Sequence, residues 1–234
     1  MGNITTDDII RIDLTEEEVK SIINTVTEKI DIAKMDNLRH RHKNIQFDCL
    51  LRGYVGEYCI IKWLKTYNIN FETTNYIQDD ENIDIDFYYK EKNLELKTSL
   101  VPDADVTIDN AIRRRDIKLI RRGNSRIEDL RGDIHLQIYY SEKRKAKDDW
   151  LKSQTINLES KDIDYLYTAF NARAYKTTTF FVAWIDKETL VKKINAMPEK
   201  DRYWSFPGSQ RFFWNCKIQD SKKPIELVNY LRAL

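Results

Sequence analysis

The sequence predicts an α/β protein in which helices flank one mixed central β-sheet. Runs with helical periodicity alternate with short runs of strand periodicity along the 234 residues. Glycine (6) and proline (4) are scarce, so flexible linkers and low-complexity segments are not expected. Because 41% of the residues are apolar, the chain can bury one sizeable core, and we expect a single domain over residues 1–234.

Each element has a local signal. The first helix covers residues 13–35 and opens with a capping-box pattern at Thr15 and Glu18. The other elements follow in chain order: a helix from about Gln46 to Tyr67, extended runs over 70–77, 83–89 and 94–100 with a turn at 90–93, a partly helical segment over 110–122, a strand over 133–141, a helix over 161–175, a strand over 178–185, a helix over 186–196, a strand over 211–218 and a terminal helix over 224–231.

Composition argues against several classes of protein. No apolar run approaches the roughly 18 residues of a membrane span, so no membrane partner is expected. The N-terminal MGNITTDDII lacks the basic-then-apolar pattern of a signal peptide. Cys49, Cys59 and Cys216 give no even framework and no CxxC spacing, which disfavours disulfides and structural zinc and suits a cytoplasmic protein. No GxxxxGK[ST] motif is present, so no nucleotide cofactor is expected.

The stretch DIDFYYKEKNLELKTS, residues 84–99, predicts a β-hairpin with charged side chains on one face. If the turn is centred between Glu91 and Lys92, Asp86 lies opposite Lys97. Because strand side chains alternate between faces, this charged face holds Asp84, Asp86, Glu95 and Lys97. The other face holds the side chains that can pack on the core: Ile85, Phe87, Leu96 and Thr98.

Two carboxylates in one site repel each other unless a cation lies between them. Asp86 and Glu95 would be diagonal neighbours, close enough to share an ion, and oxygen ligands favour Mg²⁺, with Mn²⁺ as a substitute. Lys97 could then orient or deprotonate a water, or stabilise developing phosphorane charge. The alternative is a solvent-facing hairpin whose ion pairs contribute only about 0–1 kcal/mol each.

These motifs resemble the PD-(D/E)XK nuclease superfamily, the fold of most type II restriction endonucleases. The segment IDF (85–87) is similar to the strand that carries its first acidic residue, and ELKTS (95–99) is similar to its E-x-K strand. Upstream, RGYVGE (52–57) resembles the opening of its glutamate-bearing helix, and the order of the elements also matches. The resemblance covers about residues 52–99 and makes residues 44–185 the catalytic core, between an N-terminal helical segment (1–43) and completing C-terminal elements (186–234).

The resemblance implies that Asp86, Glu95 and the Leu96 carbonyl bind Mg²⁺ and that Lys97 handles the attacking water. Glu57 would be either an auxiliary ligand of the ion or a base that lies just outside its direct ligands. Isoleucine rather than proline precedes Asp86, so the choice between Asp84 and Asp86 as ligand stays open. Glu57 has another interpretation, a carboxylate that complements the helix dipole from the first helical turn.

Basic segments predict where DNA is held. The net charge is only +1, but residues 113–131 carry eight Lys/Arg against three Asp/Glu. The predicted phosphate or base contacts are Arg113, Arg114, Arg115, Lys118, Arg121 and Arg122, with Arg39, Arg41 and Lys43 in a second patch that also holds His40 and His42.

Two further segments are interpreted mainly as structural. His135 and Gln137 are expected to be satisfied buried polar groups that could reach the site. Residues 202–215, RYWSFPGSQRFFWN, are expected to be mostly core and turn, with a DNA-reading loop as the alternative.

We therefore expect a Mg²⁺-dependent endodeoxyribonuclease, specifically a type II restriction endonuclease. It would act on double-stranded DNA at a short palindromic sequence as a homodimer, because each site cuts one strand. The alternatives are a repair or recombination nuclease of the same fold that reads DNA structure, and a non-catalytic DNA-binding protein.

Overall fold

The computed structural model describes residues 3–30, 40–73, 85–171, 178–206 and 210–234. The strands are β1 (Ile10–Asp13), β2 (Glu72–Thr73), β3 (Phe87–Tyr89), β4 (Lys92–Val101), β5 (Ile120–Arg121), β6 (Ile134–Lys143), β7 (Thr178–Asp186), β8 (Tyr203–Ser205) and β9 (Phe212–Trp214). The helices are α1 (Glu16–Lys29), α2 (Lys43–Lys65), α3 (Ile108–Arg114), α4 (Arg144–Ser153), α5 (Ile163–Asn171), α6 (Lys187–Asn195) and α7 (Glu226–Ala233).

The central sheet has six described strands in the order β1-β7-β6-β4-β3-β2. β4 and β6 are parallel neighbours, whereas the other described pairings of this sheet are antiparallel. The chain passes from β4 to β6 through α3 and β5, and β5 belongs to a second, three-stranded sheet in the order β5-β9-β8. The predicted mixed α/β architecture is therefore confirmed.

The two faces of the central sheet pack against different partners. Leu96 and Ile138 lie in one apolar cluster with residues from α1, α2, α5 and α7. Tyr139 and Val101 lie in a second cluster with residues from α3, α6 and β9. The alternation of side chains along each strand thus separates the two clusters and directs Glu95 and Lys97 away from α2.

The two N-terminal helices differ in how well the sequence predicts them. The capping box is confirmed, because the Thr15 side chain accepts a hydrogen bond from Glu18 N while the Glu18 carboxylate accepts one from Thr15 N. The second helix begins at Lys43, three residues earlier than predicted, and His42 caps it by accepting from Asn44 N. In the parts of the chain that the structure describes, no helix combines the length and apolarity needed to cross a membrane.

The predicted hairpin register is wrong by two residues. The pairs are Phe87↔Leu94 and Tyr89↔Lys92, so the turn is centred between Lys90 and Glu91. Lys90 adopts a left-handed φ of 52°, which closes the turn earlier than the polar KEKN cluster suggests. A shift of two residues keeps every side chain on its predicted face, and Ile85, Phe87 and Leu96 are indeed buried.

Candidate active site

Glu95 is a buried carboxylate held between two nitrogen donors. Its side chain projects from β4 and is only 5% exposed. Lys97 Nζ lies 2.7 Å from Glu95 Oε1, and His135 Nδ1 lies 3.0 Å from Oε2. An ionised carboxylate only accepts, so the imidazole donates from Nδ1. The parallel pairing of Glu95 with His135 in β4 and β6 produces this contact directly.

The charge on Glu95 is maintained by its neighbours. Burial by itself would raise the pKa of Glu95, but the Lys97 ammonium and the His135 donor lower it to about 2. The pKa in the folded protein is therefore below the ordinary value of 4.5. The interactions of ionised Glu95 stabilise the fold above pH 4.5, and this contribution is lost as the pH falls toward 2.

Asp86 lies beside Glu95 where β3 ends. The ladder ends at the pair Phe87↔Leu94, and Asp86 N donates to Leu94 O at 2.9 Å, so Asp86 does not lie opposite Lys97 as predicted. Leu96 N donates to Asp86 Oδ2 at 2.6 Å, and the N–H and C=O of one strand residue point to the same side. The Asp86 carboxylate and the Leu96 carbonyl therefore approach the same edge of β4. Asp84, the other candidate ligand, lies outside the described residues.

Gln137 is the satisfied buried polar group that the sequence indicates, whereas buried His135 bonds Glu95 through Nδ1 and its Nε2 has no hydrogen-bond partner among the described residues. Gln137 Oε1 accepts from Lys118 N at 3.1 Å, and its Nε2 donates to Lys97 O at 2.9 Å. The amide thus joins the backbone at Lys97 to the backbone at Lys118.

A Cβ at Gly132 would lie 2.9 Å from His135 Cε1, so this position must stay without a side chain to let the loop pack on the imidazole.

Glu57 lies on the helix that packs against the opposite face of β4. It is half-buried in the middle of α2 and not in the first helical turn. The interpretation of Glu57 as a carboxylate that complements the helix dipole from the first turn is therefore wrong. A Cβ on the neighbouring Gly56 would lie 2.4 Å from Thr98 Cγ2, which shows how closely α2 crosses β4. The helix therefore passes β4 at the level of the charged cluster, on the side away from the Glu95 carboxylate.

A cleft of about 1000 Å³ adjoins this cluster through Lys97, and we call it the basic cleft. The four consecutive residues 97–100 line it, so it runs along the edge of β4 beyond the end of β3. Seven lysines and arginines line its described part, together with His40, and no Asp or Glu side chain does. The seven are Arg41, Arg52, Lys97, Lys118, Arg121, Arg144 and Arg211.

Two of these cations are set deep in the basic cleft. Arg52 is nearly buried, and Asp48 Oδ2 accepts from its Nε at 2.8 Å. Burial would lower the pKa of Arg52, but the Asp48 carboxylate raises it above its ordinary value. Burial lowers the pKa of half-buried Lys118 to about 8, and the neighbouring arginine side chains add to this effect. Lys118 is thus still largely protonated at neutral pH.

The predicted DNA contacts separate into two groups. Arg41, Lys118 and Arg121 line the basic cleft with Lys97, as does His40. Arg113 and Arg114 do not line it; their side chains are exposed and face Asp109 and Asp105.

Three further predicted cations, Arg115, Arg122 and Lys43, do not line the basic cleft. Arg115 binds the buried Asp105 carboxylate at 2.6 Å. Arg39 is outside the described residues.

Sequence reasoning missed Arg52, Arg144 and Arg211 as cleft residues. Arg52 lies on α2, Arg144 begins α4 and Arg211 precedes β9. They are far apart along the chain, and of the three only Arg144 belongs to a basic run, KRKAK (143–147). A signal was therefore present for Arg144, in that run, and for Arg211, in the segment 202–215 for which a DNA-reading loop was the alternative interpretation.

The described residues contain no group of three or more His, Cys, Asp and Glu side chains that could hold a metal. The set at the hairpin is smaller: two carboxylates, Asp86 and Glu95, and the Leu96 carbonyl. These hard oxygen donors suit Mg²⁺ in chemistry, since that ion usually keeps several waters and takes only one or two protein carboxylates. We compared this chain with models of known protein families, with curated proteins and with solved structures. None of the three comparisons gives a match.

Proposed function

We propose that this protein is a Mg²⁺-dependent endodeoxyribonuclease with a restriction-endonuclease-like core. The observation that carries the proposal is the continuity of the Glu95–Lys97 pair with the basic cleft. Metal-dependent hydrolysis of DNA uses an anionic ligand for the cation, a group that acts on water and a cationic surface for the polyanion. The Glu95–Lys97 pair and the basic cleft lie along one edge of β4, and this supports the proposal.

The residues divide this work according to their chemistry. Asp86, Glu95 and the Leu96 carbonyl would hold the ion, which when bound polarises the scissile phosphate and lowers the pKa of the attacking water. Lys97, at 2.7 Å from Glu95, orients the water or stabilises negative charge that develops on the phosphate. His135 holds the second oxygen of Glu95 and thereby fixes the orientation of that ligand.

The order and pairing of the elements support the same proposal. The helix with Glu57 is followed by β2, β3 with its preceding Asp86, and β4 with Glu95 and Lys97. The chain then crosses through α3 to β6, which is parallel to β4. This is the succession of elements that the resemblance to the PD-(D/E)XK superfamily implies.

Within this class we propose a type II restriction endonuclease that cuts a short palindromic site in the cytoplasm as a homodimer. Digestion of unmethylated phage DNA with Mg²⁺, followed by sequencing of the fragment ends, tests this. A restriction enzyme gives discrete fragments with one shared terminal sequence. Scattered ends would indicate a nuclease that reads DNA structure, and binding without any cutting would indicate a DNA-binding protein.

The charges of the basic cleft are expected to set DNA affinity. Arg144→Ala should weaken binding to all sequences alike and reduce the slope of log affinity against log salt by about 1. Arg113→Ala is the matched control, because both arginines are exposed on helices and face an aspartate four residues away. Arg113 lies outside the cleft, so its loss should leave the slope unchanged. Fluorescence anisotropy at several salt concentrations measures both; equal slopes for the two variants would contradict this use of the cleft.

A further inference from the structure

One wall of the basic cleft is aromatic. Phe206 and Phe213, from the β8–β9 segment, line the cleft beside Arg211. Phe206 is 46% exposed, unlike Phe213, which is 6% exposed. Trp204 stacks on Phe213 with ring centroids 4.9 Å apart, and the Phe206 ring stands edge-on to both. The two inner rings therefore support Phe206 and present it to the cleft.

Phosphates do not explain an exposed phenyl ring at this position. The cations around the cleft suit a phosphate backbone, whereas a phenyl ring offers a phosphate neither a charge nor a hydrogen bond. Its complementary partner on a nucleic acid is the flat face of a base, which stacks on aromatic rings whatever its sequence. In a paired duplex the base faces are covered by their neighbours, so a base must leave the stack to reach the ring.

We propose that Phe206 stacks on an unpaired nucleobase of DNA bound in the basic cleft. This inference rests on the proposed function only in that the cleft holds DNA. Arg121 lines the same cleft and can contact a phosphate of the bound strand. Its guanidinium lies 4.4 Å from the Tyr203 ring centroid and 5.5 Å from that of Trp214, and its Nε donates to Ser125 O at 3.1 Å. The arginine is thus held by the same small sheet that supports Phe206.

Affinities for three short duplexes of one sequence test the proposal, measured in EDTA so that binding is separated from metal-dependent cutting. One duplex is fully paired, one has a single extra adenosine, and one has an extra abasic sugar at the same place. The last two share the distorted backbone and differ in the base alone. The wild-type protein should bind the adenosine bulge about tenfold more tightly than the abasic bulge.

The variants locate the effect. Phe206→Ala should abolish the preference for the adenosine bulge, and Phe206→Trp should keep it. Phe212→Ala is the matched control, because Phe212 is 37% exposed on the neighbouring strand but does not line the cleft; it should keep the preference. Thermal unfolding of each variant reports on the fold, and if Phe206→Ala unfolds, Phe206→Leu replaces it, since leucine keeps an apolar side chain without a flat ring and should also lose the preference.

Several outcomes would overturn the inference: no wild-type preference for the adenosine bulge over the abasic bulge, a preference that survives in Phe206→Ala, or one lost equally in Phe212→Ala. A preference for the adenosine bulge in a protein that fails to cut DNA with Mg²⁺ would overturn the proposed nuclease function and leave the stacking site standing. Cutting with Mg²⁺ and no such preference would do the reverse.

Discussion

Replacing Glu95 by glutamine is expected to slow DNA cleavage by about 10³-fold or more, because a metal ligand supplies several kcal/mol of transition-state stabilisation. The substitution keeps the volume of the side chain and an oxygen that can accept from His135 Nδ1, which lies 3.0 Å from the present carboxylate. It removes the negative charge that the ion needs. Cleavage rates on plasmid DNA measure the loss.

Duplex binding and a control variant make this result specific. Binding in EDTA should survive in Glu95→Gln, since Glu95 does not line the basic cleft. Glu91→Gln removes an exposed carboxylate from the turn of the same hairpin and should cut normally. Equal loss in the two variants, or normal cutting by Glu95→Gln, would remove Glu95 from the site.

The second acidic ligand is tested in the same assay. Asp86→Ala should be as inactive as Glu95→Gln, because Asp86 accepts from Leu96 N at the edge of β4 beside Glu95. Asp84→Ala should have a milder effect. An inactive Asp84→Ala variant together with an active Asp86→Ala variant would exchange the roles of the two aspartates.

Replacing Lys97 by alanine should slow cleavage by about 10²-fold or more, the usual effect of losing a group that acts on the nucleophile or the transition-state charge. The native fold should remain, because the Lys97 side chain is partly exposed and His135 still contacts Glu95. Single-turnover cleavage and thermal unfolding measure the two effects separately.

Lys92→Ala provides the control for Lys97, since Lys92 is a half-buried lysine at the start of the same strand. It should cut at the wild-type rate. A Lys97→Ala variant that cuts normally would show that the Lys97–Glu95 pair is only an electrostatic contact. An unfolded variant would mean that the pair is structural, and Lys97→Arg would then be expected to restore the fold without restoring the rate.

The sequence predicts the faces of the hairpin but not its register. Alternation alone assigns Glu95 and Lys97 to one face and Leu96 to the other, and this assignment is correct. Register depends on which residues form the turn, and the left-handed conformation of Lys90 is not indicated by its residue type. Asp86 therefore bonds to Leu94 O through its N–H and to Leu96 N through its carboxylate, instead of lying opposite Lys97.

The sequence also fails to predict short elements and contacts between residues that are far apart along the chain. β1 has four residues and β8 three, too few for a periodic signal, and each is fixed by pairing with a longer or neighbouring strand. The basic cleft collects cations from α2, α4 and the segment before β9. A basic run in the sequence, such as residues 113–115, instead faces acidic side chains nearby.

Cleavage of supercoiled plasmid DNA with Mg²⁺, with Mn²⁺ and with excess EDTA tests the central claim most directly. All proposed ligands are oxygen atoms of Asp86, Glu95 and Leu96, so Mg²⁺ or Mn²⁺ should support conversion of the plasmid to cut forms, and EDTA should abolish it. Undiminished cutting in excess EDTA, or no cutting with either ion, would contradict a metal-dependent nuclease site on this hairpin.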